Sequence, residues 1–124
     1  MKIKALVIDR RSVERNELTR PLKELGVRKV VERNAQEIAA EPVEAGQYDV
    51  VFIEFNTLME AGQPLAGLLR AMDANVPIIV TYPPATRPAD LKKYCPQATA
   101  CLGSPFTNEQ LRQTMEQCVA SLTV

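Results

Sequence analysis

Residues Asp49 to Phe55 contain four consecutive apolar side chains, Val50-Val51-Phe52-Ile53. A strand with one wet face alternates apolar and polar residues, so an unbroken apolar run describes a strand buried on both sides. Such a strand sits at the centre of a sheet and needs helices above and below it. This run ends in Glu54, so the strand delivers a carboxylate at its carboxyl end, where an open α/β sheet gathers its working groups.

The rest of the chain supplies matching pieces. Ile3 to Ile8 is a short apolar strand closed by Asp9. Ser12 is suited to cap a following helix, in which Leu18, Leu22 and Leu25 recur at helical spacing and Gly26 provides a stop. Pro21 lies inside that helix and predicts a bend near Glu17, since a proline in a helix interior costs about 3 kcal/mol relative to Ala. Lys29 to Glu32 predicts a less apolar edge strand, and Asn34 to Ala45 a weak helix interrupted by Pro42.

After the central strand, Leu65, Leu68, Leu69 and Met72 form one stripe, predicting a helix over Gln63 to Asp73 with Pro64 in its first turn. Pro77 to Tyr82 and Thr99 to Leu102 are strands four and five. Between them the proline-dense segment Tyr82 to Pro88 is extended and leaves room for a short helix from roughly Pro88 to Tyr94. Thr107 to Gln110 reads as a capping box opening the last helix, with Leu111, Met115, Cys118, Val119 and Leu122 on one face. Five strands alternating with helices imply one domain over residues 1–124, built on a parallel sheet covered on both faces.

Composition narrows the chemistry. Lys+Arg and Asp+Glu both number 15, so no net field draws the chain to nucleic acid or to an anionic membrane. No apolar run approaches bilayer length. The start of the sequence has no signal-peptide pattern, and Cys95, Cys101 and Cys118 fit no zinc spacing, so reduced, buried thiols in a cytoplasmic protein are expected. Histidine is absent, which removes Ser-His-Asp and Cys-His nucleophiles, His-ligated metals and a phosphohistidine role from this chain. An enzyme is not expected.

The residues at the strand ends are Asp9-Arg10, Glu54, Thr81 and Ser104-Pro105-Phe106. In this arrangement nearly the whole chain resembles the receiver domain of two-component response regulators. The resemblance implies a three-layer, doubly wound, flavodoxin-like fold whose five parallel strands run in the order 2-1-3-4-5. It places Asp9 on the first acid of the family's acidic pair and Arg10 on the second, a magnesium ligand. Glu54 falls on the phospho-accepting Asp, and Asn56 on the residue whose carbonyl reaches the metal. Thr81 falls on the phosphate-sensing hydroxyl, Ser104 on a Lys, Pro105 on the proline after it, and Cys101 on the switching aromatic of strand five. The resemblance also implies a cis Ser104–Pro105 bond.

The departures share one direction. Phosphoryl transfer to a carboxylate needs a hard cation held by oxygen ligands and positive charge on the phosphoryl oxygens. Arg10 replaces a metal ligand with a cation, Ser104 removes a Lys charge, and Glu54 carries its carboxylate one methylene too far out. Near-attack geometry is intolerant of errors of about 1 Å. Loss of Mg²⁺ binding and of phosphorylation is therefore expected. In its place, the Arg10 guanidinium is expected to pair with Asp9, Glu54 or both, a pairing that need not add stability once desolvation is counted.

The leading expectation is a phosphorylation-independent, receiver-like signalling domain that acts by protein interaction or dimerisation through its last two helices and strand five, alone or with an output domain in a longer chain. Two alternatives stay open. One is a regulatory pocket for a small metabolite, although the sequence has neither G-x-x-x-x-G-K nor G-x-G-x-x-G. The other is a conventional regulator phosphorylated on another residue such as Asp9 or Asp49, although Asp49 begins its strand at the wrong end of the sheet.

Overall fold

The computed structural model describes residues 3–8, 12–41, 43–55, 70–73, 75–94 and 98–119. Its elements are β1 (Lys4–Ile8), α1 (Ser12–Glu24), β2 (Lys29–Arg33), α2 (Ala35–Ala40), β3 (Val50–Glu54), β4 (Ile78–Tyr82), α3 (Pro88–Tyr94), β5 (Ala100–Gly103) and α4 (Asn108–Cys118). All five strands are parallel, in the order β2-β1-β3-β4-β5. The doubly wound sheet expected from the sequence is therefore present, with β3 at its centre.

Strand alternation divides the core into two layers. Ala5, Val7, Val50, Phe52 and Ile79 face one side, where they meet Leu18 and Leu22 of α1 and Leu111 and Met115 of α4. Leu6, Ile8, Val51, Ile53 and Val80 face the other, against Ile38 of α2 and Leu91 of α3. Val50, Val51, Phe52 and Ile53 are all fully buried, as the unbroken apolar run requires. Phe52 is the largest of the fully buried side chains, and truncating it to Ala removes packing of about 3–5 kcal/mol.

The helix ends follow local chemistry. α1 closes as predicted at Gly26, which adopts φ 87° and lets Val27 N–H reach the Leu22 carbonyl at 3.0 Å and Gly26 N–H the Lys23 carbonyl at 3.0 Å. Ser12 is the first residue of α1 rather than the residue preceding it, and the helix continues through Pro21. α2 is shorter than expected and ends at Ala40, two residues before Pro42 in the sequence. Its start has a capping box: Asn34 accepts from Glu37 N–H, while the Glu37 carboxylate accepts from Asn34 N–H. Thr107 and Gln110 form the predicted box at the start of α4. Of the helix expected over Gln63 to Asp73, residues 70–72 are described and helical; the remainder lies outside the described residues.

The amino-terminal end of the sheet is tied by Asp73, whose side chain is buried (8% exposed). One carboxylate oxygen accepts from Gly46 N–H at 2.8 Å and the other from Asn75 N–H at 3.1 Å. These backbone donors, Gly46 first, hold the Asp73 carboxyl below its ordinary range, with Asn75, Val76 and the Arg70 charge adding to the effect against burial. Because its folded pKa lies below the unfolded value of about 3.9, Asp73 contributes stability that is fully present above that pH. That contribution is lost as pH falls through the folded value. In urea unfolding from pH 2 to 7, wild type is expected to exceed Asp73→Asn most above about pH 5, with the gap closing toward pH 2. A gap that stays constant across that range contradicts the clamp.

Candidate functional site

At the carboxyl end of the sheet, the register pairs Glu54 of β3 directly with Thr81 of β4. Phe52 and Ile79, two residues before them, point into the layer covered by α1 and α4. Period-two alternation brings Glu54 and Thr81 out on that same side, next to each other. Thr81 is buried at 6% exposure, whereas Glu54 is half-buried. The carboxylate is thus the part of the pair that solvent reaches. On the far side of Thr81 its β5 partner is Leu102.

Beyond β5, Ser104 N–H donates to the Tyr82 carbonyl at 2.8 Å, which carries the β4–β5 pairing one residue into the loop. The Ser104–Pro105 bond is cis, as the resemblance implies. Ser104, Pro105 and Phe106 face Pro21 of α1 across a cleft of about 250 Å³. Neither Glu54 nor Thr81 lines this cleft. The Asn108 amide donates to Glu24 at 2.8 Å, linking the start of α4 to the end of α1. Asp9, Arg10 and Asn56, the other predicted pocket members, lie outside the described residues. The expected Arg10 pairing falls with them.

One predicted residue stands differently from expectation, Cys101, and another, Asp49, stands at the end of the sheet where it was expected. Cys101 was expected to be a buried thiol but is exposed, because odd positions of β5 point away from Ala100 and Leu102, which pack toward α4. The protein around it still raises its thiol pKa by partial burial. Asp49 lies at the amino-terminal end of β3, where it accepts from Lys4 N–H at 2.7 Å. It is a full strand length from Glu54, so it holds the β1–β3 ladder rather than joining the pocket.

A second cleft, of about 220 Å³, is lined by Arg33, Glu41, Val43, Glu44, Gln47 and Tyr48. Its polar groups bind one another. Arg33 is held charged first by Tyr48 and then by Glu41 and Glu37, with Glu41 at 3.5 Å. Gln47 donates to the Tyr48 hydroxyl at 3.4 Å and accepts from Glu44 N–H at 2.9 Å. The arrangement latches α2 and the loop after it onto the sheet edge. Among the described residues, no group of three Cys, Asp or Glu side chains is placed to hold a metal ion. No described helix is long and apolar enough to cross a membrane.

Sequence reading missed the contact between Tyr82 and Gly103. These residues are register partners on β4 and β5, and a Cβ placed on Gly103 would lie 3.0 Å from both the Tyr82 Cζ and its hydroxyl oxygen. The available signal was Gly103 at the end of an apolar strand, since glycine there marks a close approach.

With this geometry established, comparison with solved structures is direct. A signal receiver domain from Clostridium thermocellum superposes with a TM-score of 0.79 over 100% of both chains at 14% identity. The chain has the receiver fold. The receiver domain of the sensor histidine kinase PA1611 from Pseudomonas aeruginosa, which carries a magnesium ion in its active-site cleft, gives 0.72 over 97% of this chain and 99% of that one at 19% identity. In sequence, the chain is similar to the transcriptional regulatory protein LytR of Staphylococcus aureus, 30% identical over 122 residues, or 96% of this chain and 48% of that protein. The chain therefore spans about half the length of this curated relative. No family model matches it.

Cys101 provides a check on this end of the receiver fold. Alkylation of the native protein, mapped by peptide mass, is expected to modify Cys101. Its rate should be slow at pH 7 and still climbing above about pH 8.5, where an ordinary thiol begins to level off. A plateau below pH 8 contradicts the raised thiol.

Proposed function

We propose that this chain is an atypical receiver-like signalling domain that works without aspartyl phosphorylation and acts through protein contacts. The observation that carries this reading is Glu54 at the carboxyl end of β3, directly beside Thr81. The receiver fold supports the placement of these residues on the acceptor and sensor positions. A Glu there projects the carboxylate one methylene farther than an Asp, away from the distance at which a neighbouring hydroxyl and a loop cation would share a phosphoryl group.

The donor set argues the same way. A magnesium site of this class takes several oxygen ligands, mostly carboxylates. Here the sequence offers Asp9 and Glu54 as acids, Arg10 where a second acid would stand, and Ser104 in place of a Lys. A guanidinium repels the ion and is suited to pair with the carboxylates instead. We therefore derive no phosphoryl-transfer step for this pocket. Its role is to hold the carboxyl end of the sheet in one state, leaving β5, α3 and α4 as a fixed surface for a protein partner or a second copy. The similarity to half of a transcriptional regulatory protein supports a place as the receiver-like part of a larger regulator.

The test uses Mg²⁺ with a small-molecule phosphodonor or beryllofluoride. No mass adduct and no saturable amide shift around Glu54 are expected. The combined substitution Arg10→Asp, Glu54→Asp and Ser104→Lys is expected to bring back Mg²⁺ binding. A stoichiometric adduct on the unmodified protein sinks the proposal.

A further inference from the structure

The close contact between Tyr82 and Gly103 has a role of its own. β5 is the edge strand, only four residues long, and is hydrogen-bonded along one side alone. Short edge strands are the least protected part of a sheet, and a glycine within one weakens it further. The Tyr82 ring compensates by setting its phenol end against Gly103. Built Cβ distances of 3.0 Å to Cζ, 3.0 Å to the hydroxyl oxygen and 3.1 Å to Cε2 show that the ring fills the space a side chain would occupy. An aromatic laid over a glycine on the neighbouring strand is a known means of restoring lost packing and pinning register.

The backbone of the same residue closes the arrangement, since the Tyr82 carbonyl accepts the Ser104 N–H at 2.8 Å. Tyr82 therefore holds β5 twice, through its ring over Gly103 and through its carbonyl at Ser104. The ring packs against the core layer that includes Val80, the same layer that Leu91 of α3 packs against. Two residues earlier on β5, Cys101 leaves the same face exposed. Tyr82 is thus the aromatic that covers this face of the edge strand's end.

We propose that Tyr82 is a clamp that fixes the end of β5 and the loop bearing Ser104, and so holds the β5–α3 surface in a single conformation. The signalling consequence rests on the proposed function above, but the clamp is measured in the unmodified protein without Mg²⁺ or phosphodonor. The two therefore fail separately.

Amide hydrogen exchange provides the test. Tyr82→Leu, which keeps apolar bulk but loses the ring, is expected to speed exchange at the amides of Leu102, Gly103, Ser104 and Phe106 about tenfold or more while leaving β2 amides at the opposite edge unchanged. Gly103→Ala, which forces the ring aside with Tyr82 intact, is expected to give the same local pattern. Tyr82→Phe, which keeps Cζ and Cε2 but removes the hydroxyl oxygen that also touches Gly103, is expected to speed exchange less than Tyr82→Leu does. Unchanged exchange in both Tyr82→Leu and Gly103→Ala overturns the clamp. So does an acceleration equal in β2 and β5, which reports global destabilisation.

Discussion

The fold depends on one constraint: β3 is buried on both faces. Val50 and Phe52 need cover from α1 and α4, while Val51 and Ile53 need it from α2 and α3. Two helix layers are obligatory once that strand is central, and parallel strands joined by crossovers supply them. The same constraint decides where polarity can appear. A carboxylate anywhere between Val50 and Ile53 would be buried without water, at a cost of several kcal/mol. Glu54 is the first position at which the strand emerges, and its neighbour Thr81 emerges with it. The candidate site lies where the burial of β3 stops.

This explains which parts of the structure were legible in the sequence. The five strands, the Gly26 stop and the Thr107 cap are local signals with strong periodicity or fixed φ requirements, and each appears within a residue of its expected place. Element edges were less legible. The pattern over Asn34 to Ala45 has no strong stop before Pro42, yet α2 ends at Ala40, and β5 covers Ala100–Gly103, one residue later than the apolar run Thr99 to Leu102 predicts. Residue type alone places Cys101 in the core, but its side on an edge strand is a matter of register, and a one-residue shift reverses it.

The candidate site was legible in a different way. Glu54 and Thr81 could be placed together because parallel register follows from strand ends of similar position. The Tyr82–Gly103 contact and the Asp73 clamp could not be placed, because each joins residues whose adjacency depends on how loops return to the sheet. Tyr82 reads as an ordinary strand aromatic and Asp73 as an ordinary helix-end acid. Only the packed molecule shows that one covers a glycine and the other gathers backbone N–H groups from two loops.

Asp73 and Glu54 are acids at opposite poles of one sheet. The first ties the loops that lead into β3 and β4, where every oxygen is engaged by backbone donors. The second sits where those strands run out. Anchorage and chemistry are therefore delegated to different ends of the same two strands, and changes at sites this far apart add independently. Substitutions at the carboxyl pole therefore do not draw on the interactions that hold the loops. A domain divided in this way can vary at one pole while the other keeps the sheet as it is.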